Sequence, residues 1–321
     1  MDLDRFIHPA DKKLWQGRID GIEPERYHQI ISCEDWRTFK GHQTSIGIIG
    51  FACDEGIRRN KGRIGAAQGP LAFRNQLASL PNSVSRLYDF GDIICPDNCL
   101  EEAQAALGTA LDHLLGQSVF PIVIGGGHEV SWGVFQGIHH HYPNCHVLNL
   151  DAHFDLRPMS GQSQSSSGNS FTQIATLQGE DFNYSIIGLQ ETGNTQSLFD
   201  VAEELDVRYL LARHISRADK FLEKILNESP HLYLSIDMDV FDSAHAPGVS
   251  APQPLGLLPQ QIIPLLAMAA SSGKIRCLDI AELSPPLDHD HHTARLAAVL
   301  VAHFLRTYME NSELEPKVES L

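Results

Sequence analysis

Short apolar, β-branched runs alternate with amphipathic stretches along most of this chain. Eight such runs, at residues 45–50, 86–88, 119–124, 145–150, 184–187, 208–211, 231–236 and 275–280, predict strands. Apolar residues at helical spacing predict helices over 100–115, 131–140, 195–205, 218–226, 259–270 and 293–309. Strand and helix follow each other in turn. That order predicts an α/β fold with a central, mostly parallel eight-stranded sheet covered by helices on both faces. No Ser-, Pro- or charge-rich linker divides the chain. The expectation is one domain over residues 1–321, with 1–40 as an N-terminal extension and 311–321 as a mobile tail.

Three strings of polar residues interrupt this pattern, each directly after an apolar run. They are Gly125-Gly126-Gly127-His128-Glu129, Asp151-Ala152-His153-Phe154-Asp155 and Ser235-Ile236-Asp237-Met238-Asp239. Side chains two apart on an extended backbone point the same way, so each string aims its acids and imidazole past a strand end. His128, Asp151, His153, Asp155, Asp237 and Asp239 make two His and four Asp. Crowded carboxylates need compensating positive charge. The set is too large for one structural zinc and suits two bridged divalent ions such as Mn²⁺, whose charge would balance the four acids. Glu282 follows the last apolar run and is a candidate partner for a cationic nitrogen group. Other readings of these strings fail. No GK[ST] follows the glycines, GxGxxG spacing is missing, and there is no GxSxG. The serine-rich segment 161–168 lies just past a strand end, where open α/β sheets bind ligands, and is expected to border the site.

Composition narrows the class of partner. The 321 residues carry a formal charge of −16, which disfavours nucleic acid and anionic membranes and leaves a small-molecule substrate. No apolar run reaches membrane-spanning length, and the N-terminus lacks a signal-like apolar stretch. The six cysteines are scattered and are read as reduced thiols of a cytoplasmic protein; a Cys95–Cys99 pair is the weaker alternative.

The combined strings GGGHE, DAHFD, SIDMDVFD and Asp279-Ile280-Ala281-Glu282-Leu283 resemble the ureohydrolase family, which includes arginases, agmatinases and formimidoylglutamases. The resemblance runs from Gly62-Arg63-Ile64-Gly65 to Glu282. It implies a three-layer α/β/α, arginase-like fold, two Mn²⁺ per chain and a homo-oligomer. By matching positions, His128, Asp151, Asp155 and Asp237 would hold one ion. Asp151, His153, Asp237 and Asp239 would hold the other, with Asp151 and Asp237 bridging. Glu282 falls where the family grips an amidine or guanidine. Two features depart from arginases: Gly127 stands where they have Asp, and Phe171 where they have a non-ligand His. Their proton shuttle therefore does not transfer, and His141, His289 and His291 are the candidates to replace it. Asp155 is a further candidate proton donor to the leaving amine. The strings Phe154-Asp155-Leu156-Arg157 and Gly188-Leu189-Gln190 with Asn194-Thr195-Gln196 resemble the formimidoylglutamase branch. That branch implies cleavage of the formimidoyl C–N bond of N-formimidoyl-L-glutamate, a reaction of histidine breakdown. Arg157, then Arg63 and Asn169, would meet the substrate carboxylates. The alternatives are action on agmatine, guanidinobutyrate or arginine, or a non-catalytic metal-binding homologue.

Overall fold

The apolar runs form one ten-stranded sheet in a computed structural model that describes residues 2–41, 45–159 and 164–311. The strands are β1 (Ile7–His8), β2 (Ile31–Cys33), β3 (Ser45–Ala52), β4 (Leu87–Ile94), β5 (Val119–Ile124), β6 (His146–Leu150), β7 (Tyr184–Leu189), β8 (Arg208–Leu211), β9 (Leu232–Asp237) and β10 (Ile275–Ala281). All eight expected strands are present. Two short ones from the N-terminal extension raise the number to ten. β1 pairs antiparallel with β4 and β2 pairs parallel with it. They escape sequence reading because two or three residues carry no visible alternation.

The helices are α1 (Tyr27–Ile30), α2 (Glu55–Arg59), α3 (Gly69–Leu77), α4 (Leu100–Gly116), α5 (Val130–His139), α6 (Ser170–Gln178), α7 (Gln196–Glu204), α8 (Ala218–Glu228), α9 (Pro259–Ser271) and α10 (His292–Asn311). α4 shows why they form. Ala103, Ala106, Leu107, Ala110, Leu111 and Leu114 recur at helical spacing and are all buried. Alternate residues of each strand feed two cores. Ile122, Leu148, Leu234 and Ile280 pack under α3, α8, α9 and α10. Val123, Val147, Tyr233 and Cys277 pack under α4, α5, α6 and α7. A buried ion pair fastens α3 to β4. Arg74 makes two 2.9 Å bonds to Asp89, which also accepts Trp15 Nε1 at 2.8 Å.

The strand order is β1-β4-β3-β5-β10-β9-β6-β7-β8. The chain leaves β5, skips two places to β6, and fills the gap later with β10 and β9. The C-terminal ends of these four central parallel strands are where such sheets build their sites. β5 leads to His128, β6 to Asp151, β9 ends at Asp237, and β10 leads to Glu282. The tail after residue 311, residue 160 and residues 161–163 of the serine-rich segment lie outside the described residues. No described helix is long and apolar enough to cross a membrane.

Candidate metal centre

Turn chemistry, rather than continued strand, gathers the acidic side chains. β6 stops at Leu150, and Asp151 Oδ1 accepts the backbone N–H of His153 at 2.7 Å. Asp237 does the same for Asp239 N, also at 2.7 Å. In each case the aspartate replaces a backbone carbonyl in a tight turn. This differs from the expected extended backbone, because the chain must bend to keep the residue two positions on over the strand end. Asp155 is brought back by a φ of +49°, a left-handed conformation uncommon for a residue with a Cβ. Asn194 clamps this bend, accepting from Phe154 N at 3.1 Å and donating to Ala152 O at 2.9 Å. Glu282 also has a positive φ, +62°, and its N–H bonds Gly126 O at 2.8 Å. Backbone strain of this kind gathers where structure around it enforces a functional arrangement. The glycine run is fixed by contact. A Cβ on Gly126 would lie 1.5 Å from the Cys53 carbonyl oxygen.

His128 Nδ1 lies 2.9 Å from Asp155, 3.1 Å from Asp237 and 3.2 Å from Asp151. His153 Nδ1 lies 3.0 Å from Asp239 and 3.7 Å from Asp151. Two groups result: His128, Asp151, Asp155 and Asp237, and Asp151, His153 and Asp239. Asp151 belongs to both. Asp237 falls in the first only. Donors about 2.1 Å from an ion and at right angles around it stand about 3 Å apart, which is the spacing seen here. His128 Nδ1 is buried without a hydrogen-bond partner, aimed at three carboxylates. Burial pushes the carboxyls of Asp155 and Asp239 up, and neighbouring aspartates add to it. The donor set fits divalent cations, whose charge would relieve that strain.

A further layer of polar residues orients these ligands. His128 Nε2 lies 2.9 Å from Ser235 Oγ, which donates to Asp279 Oδ1 at 2.9 Å. Tyr233 OH also donates to Asp279. Burial lifts the Asp279 carboxyl to about 6. Asn149 donates to Asp151 Oδ2 at 2.9 Å. Phe171 presents its edge to His128, ring centres 5.2 Å apart, and stacks on Tyr184. An apolar ring therefore closes the side where arginases carry a histidine.

A cavity of about 190 Å³ opens in front of the cluster, lined by Glu282, Arg157, Asn60, Ser167 and Asn194 among others. Glu282 Oε2 has no hydrogen-bond partner, and burial together with the nearby Asp237 charge raises its carboxyl to about 8. A larger cavity, about 790 Å³, lies beside Phe199 and Tyr209 and holds no ligand of the cluster. Arg157 lines the smaller cavity and is exposed. Two other expected contacts are engaged elsewhere. Arg63 donates to the carbonyls of Ser250 and Val249, at 2.9 and 2.7 Å. Asn169 accepts from Ser166 N at 2.9 Å and donates to Gln164 O at 3.1 Å. Neither lines the cavity; both hold loops. His141 follows α5, binds Asp112 at 3.0 Å and is remote from the strand ends that carry the ligands. His289 and His291 are exposed and do not line the cavity. Sequence reading passed over Asn60. Asn194, Asp279 and Ser235 stood within the quoted strings but were given no role; Ser235 lies two residues before Asp237 on the same face of β9.

The arginase-family profile matches residues 44–306, and the chain belongs to that family. Within it, the chain is 43% identical over 317 residues to formimidoylglutamase of Legionella pneumophila strain Paris, covering 95% of this chain and 99% of the relative. It is 42% identical over 312 residues to the Ralstonia nicotianae formimidoylglutamase, covering 91% and 94%. The crystal structure of Trypanosoma cruzi formiminoglutamase with Mn²⁺ superposes with a TM-score of 0.76 at 28% identity, covering 83% of this chain and 93% of that one. Formimidoylglutamase of Bacillus subtilis superposes with a TM-score of 0.83 at 22% identity, covering 92% and 95%, a likeness of fold.

Proposed function

We propose that this chain is a dimanganese hydrolase that cleaves the formimidoyl C–N bond of N-formimidoyl-L-glutamate, giving L-glutamate and formamide in histidine degradation. The observation that carries this reading is the charge layout of one cavity. His153, Asp155, Asp237 and Asp239 of the cluster line it, together with Glu282, which leaves one carboxylate oxygen unpaired, and the guanidinium of Arg157. The substrate has a matching layout: an amidinium on the α-nitrogen, one carboxylate on the adjoining α-carbon and a second at the far end of the side chain.

His128, Asp151, Asp155 and Asp237 would hold one ion, and Asp151, His153, Asp237 and Asp239 the other. When bound, the ion pair supplies water activated as a nucleophile at neutral pH and positive charge for the transition state. The chain's own residues do the rest. Glu282 pairs with the amidinium and fixes the formimidoyl carbon over the cluster. Asp155, at the cavity edge, carries a proton to the departing glutamate nitrogen. Phe171 and Tyr184 keep water from the back of His128. Arg157 meets a carboxylate through a two-pronged contact. The cytoplasm fits the six free cysteines. Assembly into a homo-oligomer would cover the exposed Leu255 and Leu258.

Arg157 provides the test. Arg157→Ala should raise KM for N-formimidoyl-L-glutamate at nearly unchanged kcat, at a cost of about 1.5–3 kcal/mol. Arg157→Lys should recover only part, since an ammonium cannot reproduce the fork. Wild-type KM and kcat in both variants would remove Arg157 from substrate binding.

A further inference from the structure

Two polar side chains in the cavity have no place in the ligand set or beside the amidinium. Asn60 follows the last turn of α2, and Ser167 sits in the turn before α6. Asn60 Nδ2 donates to Ser167 Oγ at 3.1 Å, although the two residues are 107 apart in sequence. A serine hydroxyl has one proton and two lone pairs. Asn60 occupies a lone pair, and among the described residues the Ser167 proton has no acceptor. Ser167 is 6% exposed and lines the cavity, so that proton is available to whatever fills it.

The third member is Arg157. A methyl group on Gly168 would lie 2.8 Å from Arg157 Cδ and 2.9 Å from Asn60 Nδ2. Both side chains therefore pass over the bare Cα of Gly168, and a larger residue there would part them. Arg157 N also bonds Gly168 O at 2.9 Å, tying the two segments together. A guanidinium and a hydroxyl proton thus share one wall, backed by an amide that is itself a donor.

We propose that Asn60 is a specificity-determining residue that acts through Ser167. By taking the acceptor side of the hydroxyl it turns the serine proton into the cavity beside Arg157, and the three groups form a subsite for a carboxylate. This rests on the function proposed above and deepens it, because it says which side chains select an acidic substrate. One guanidinium cannot fill all the lone pairs of a carboxylate, and a neutral donor beside it completes the contact without adding charge near the cations.

The test uses the Mn²⁺-loaded full chain, with L-glutamate binding read by calorimetry and turnover read separately. Asn60→Ala and Ser167→Ala should each weaken L-glutamate about tenfold and raise KM for N-formimidoyl-L-glutamate alike, with kcat little changed. The double variant should be no worse than Ser167→Ala alone, because Asn60 works through the hydroxyl. KM for formamidine, which has no carboxylate, should not move. Asn60→Asp is the sharpest variant. It keeps the shape but accepts the serine proton and adds negative charge, so it should bind L-glutamate more weakly than Asn60→Ala. A purely structural role ranks these two the other way. If Asn60→Asp binds L-glutamate like wild type, the Ser167 proton already points at residue 60 and the inference is overturned. If wild type binds L-glutamate through these residues yet does not hydrolyse N-formimidoyl-L-glutamate, the function reading fails and the subsite stands.

Discussion

Glu282 illustrates how single residues carry this site. It is 3% exposed, holds a left-handed backbone and leaves one carboxylate oxygen unpaired in the cavity. Glu282→Gln keeps the shape and removes the charge. Its kcat/KM should fall by roughly two to three powers of ten, as expected for about 3–4 kcal/mol from a charge-assisted contact that positions the reacting group. Manganese content should stay at the wild-type level; near-normal turnover would show that Glu282 only shapes the loop. Behind the ligands, Ser235→Ala breaks the link from His128 to Asp279. Manganese affinity should drop about tenfold to a hundredfold, measured by competition with a chelator. Unchanged affinity would mean that the packing against Phe171 holds the imidazole by itself. At this scale the clustering of the two imidazoles and four carboxylates was legible, because their strings each follow a strand. The roles of Asn60, Asn194 and Asp279 were not, since an amide or a lone acid at one position looks the same whether it ends a helix, braces a turn or faces a ligand. Arg63 was misplaced for a related reason. A guanidinium donates equally well to a substrate carboxylate or to two backbone carbonyls, and only the fold chooses.

The elements differ in how plainly they show in the chain. Buried parallel strands are continuous apolar runs, so β5, β6 and β9 were readable, and α4 and α10 follow from their spacing. α3 and α6 were hidden. α3 begins in Gly69-Pro70, which reads as a turn although Pro fits the first turn of a helix. α6 is rich in Ser and Thr and is held by packing of Phe171 and Ile174 rather than by propensity. Gly126→Ala tests the strand-to-helix turn after β5. Its new methyl meets the Cys53 carbonyl, and the variant should lose about 3 kcal/mol of stability or more in denaturant titration, with weaker manganese binding. At the start of β6, His146 lies between Ser185 and Ser229, at 2.9 and 2.8 Å. Burial, with a smaller push from Arg208, lowers its pKa to about 3. The unfolded chain protonates it near 6.5, so its contribution is complete above that pH and is lost as pH falls toward 3. Between pH 7 and pH 5 wild type should lose about 2 kcal/mol more than His146→Gln. Parallel stability curves would show that His146 is solvated in the fold.

For the whole molecule, strand order is what converts local strings into one site. The skipped places between β5 and β6 bring residues 128, 151, 237 and 282 to neighbouring strand ends, and nothing in any single segment announces that order. The joint occurrence of the strings pointed to one shared site but not to that order. The same assembly makes metal and stability one quantity. Removing manganese leaves four aspartates facing one another in a chain of formal charge −16. Chelation should therefore lower stability by about 4 kcal/mol relative to protein held at a thousand times the dissociation constant. Asp151→Ala, which removes the residue common to both groups, should abolish activity and weaken both ions, whereas Asp239→Ala should weaken one more than the other, as read by metal analysis of the purified variants. A single tight zinc in wild type would contradict the two-ion centre.

The most direct measurement is a side-by-side turnover assay. Manganese-loaded protein is given N-formimidoyl-L-glutamate, arginine, agmatine and 4-guanidinobutyrate under one set of conditions. The roles proposed for Glu282 and Arg157 predict that kcat/KM for N-formimidoyl-L-glutamate exceeds each of the others by about a hundredfold or more, with L-glutamate and formamide as products. Preference for a guanidino compound, or no release of formamide, would contradict it.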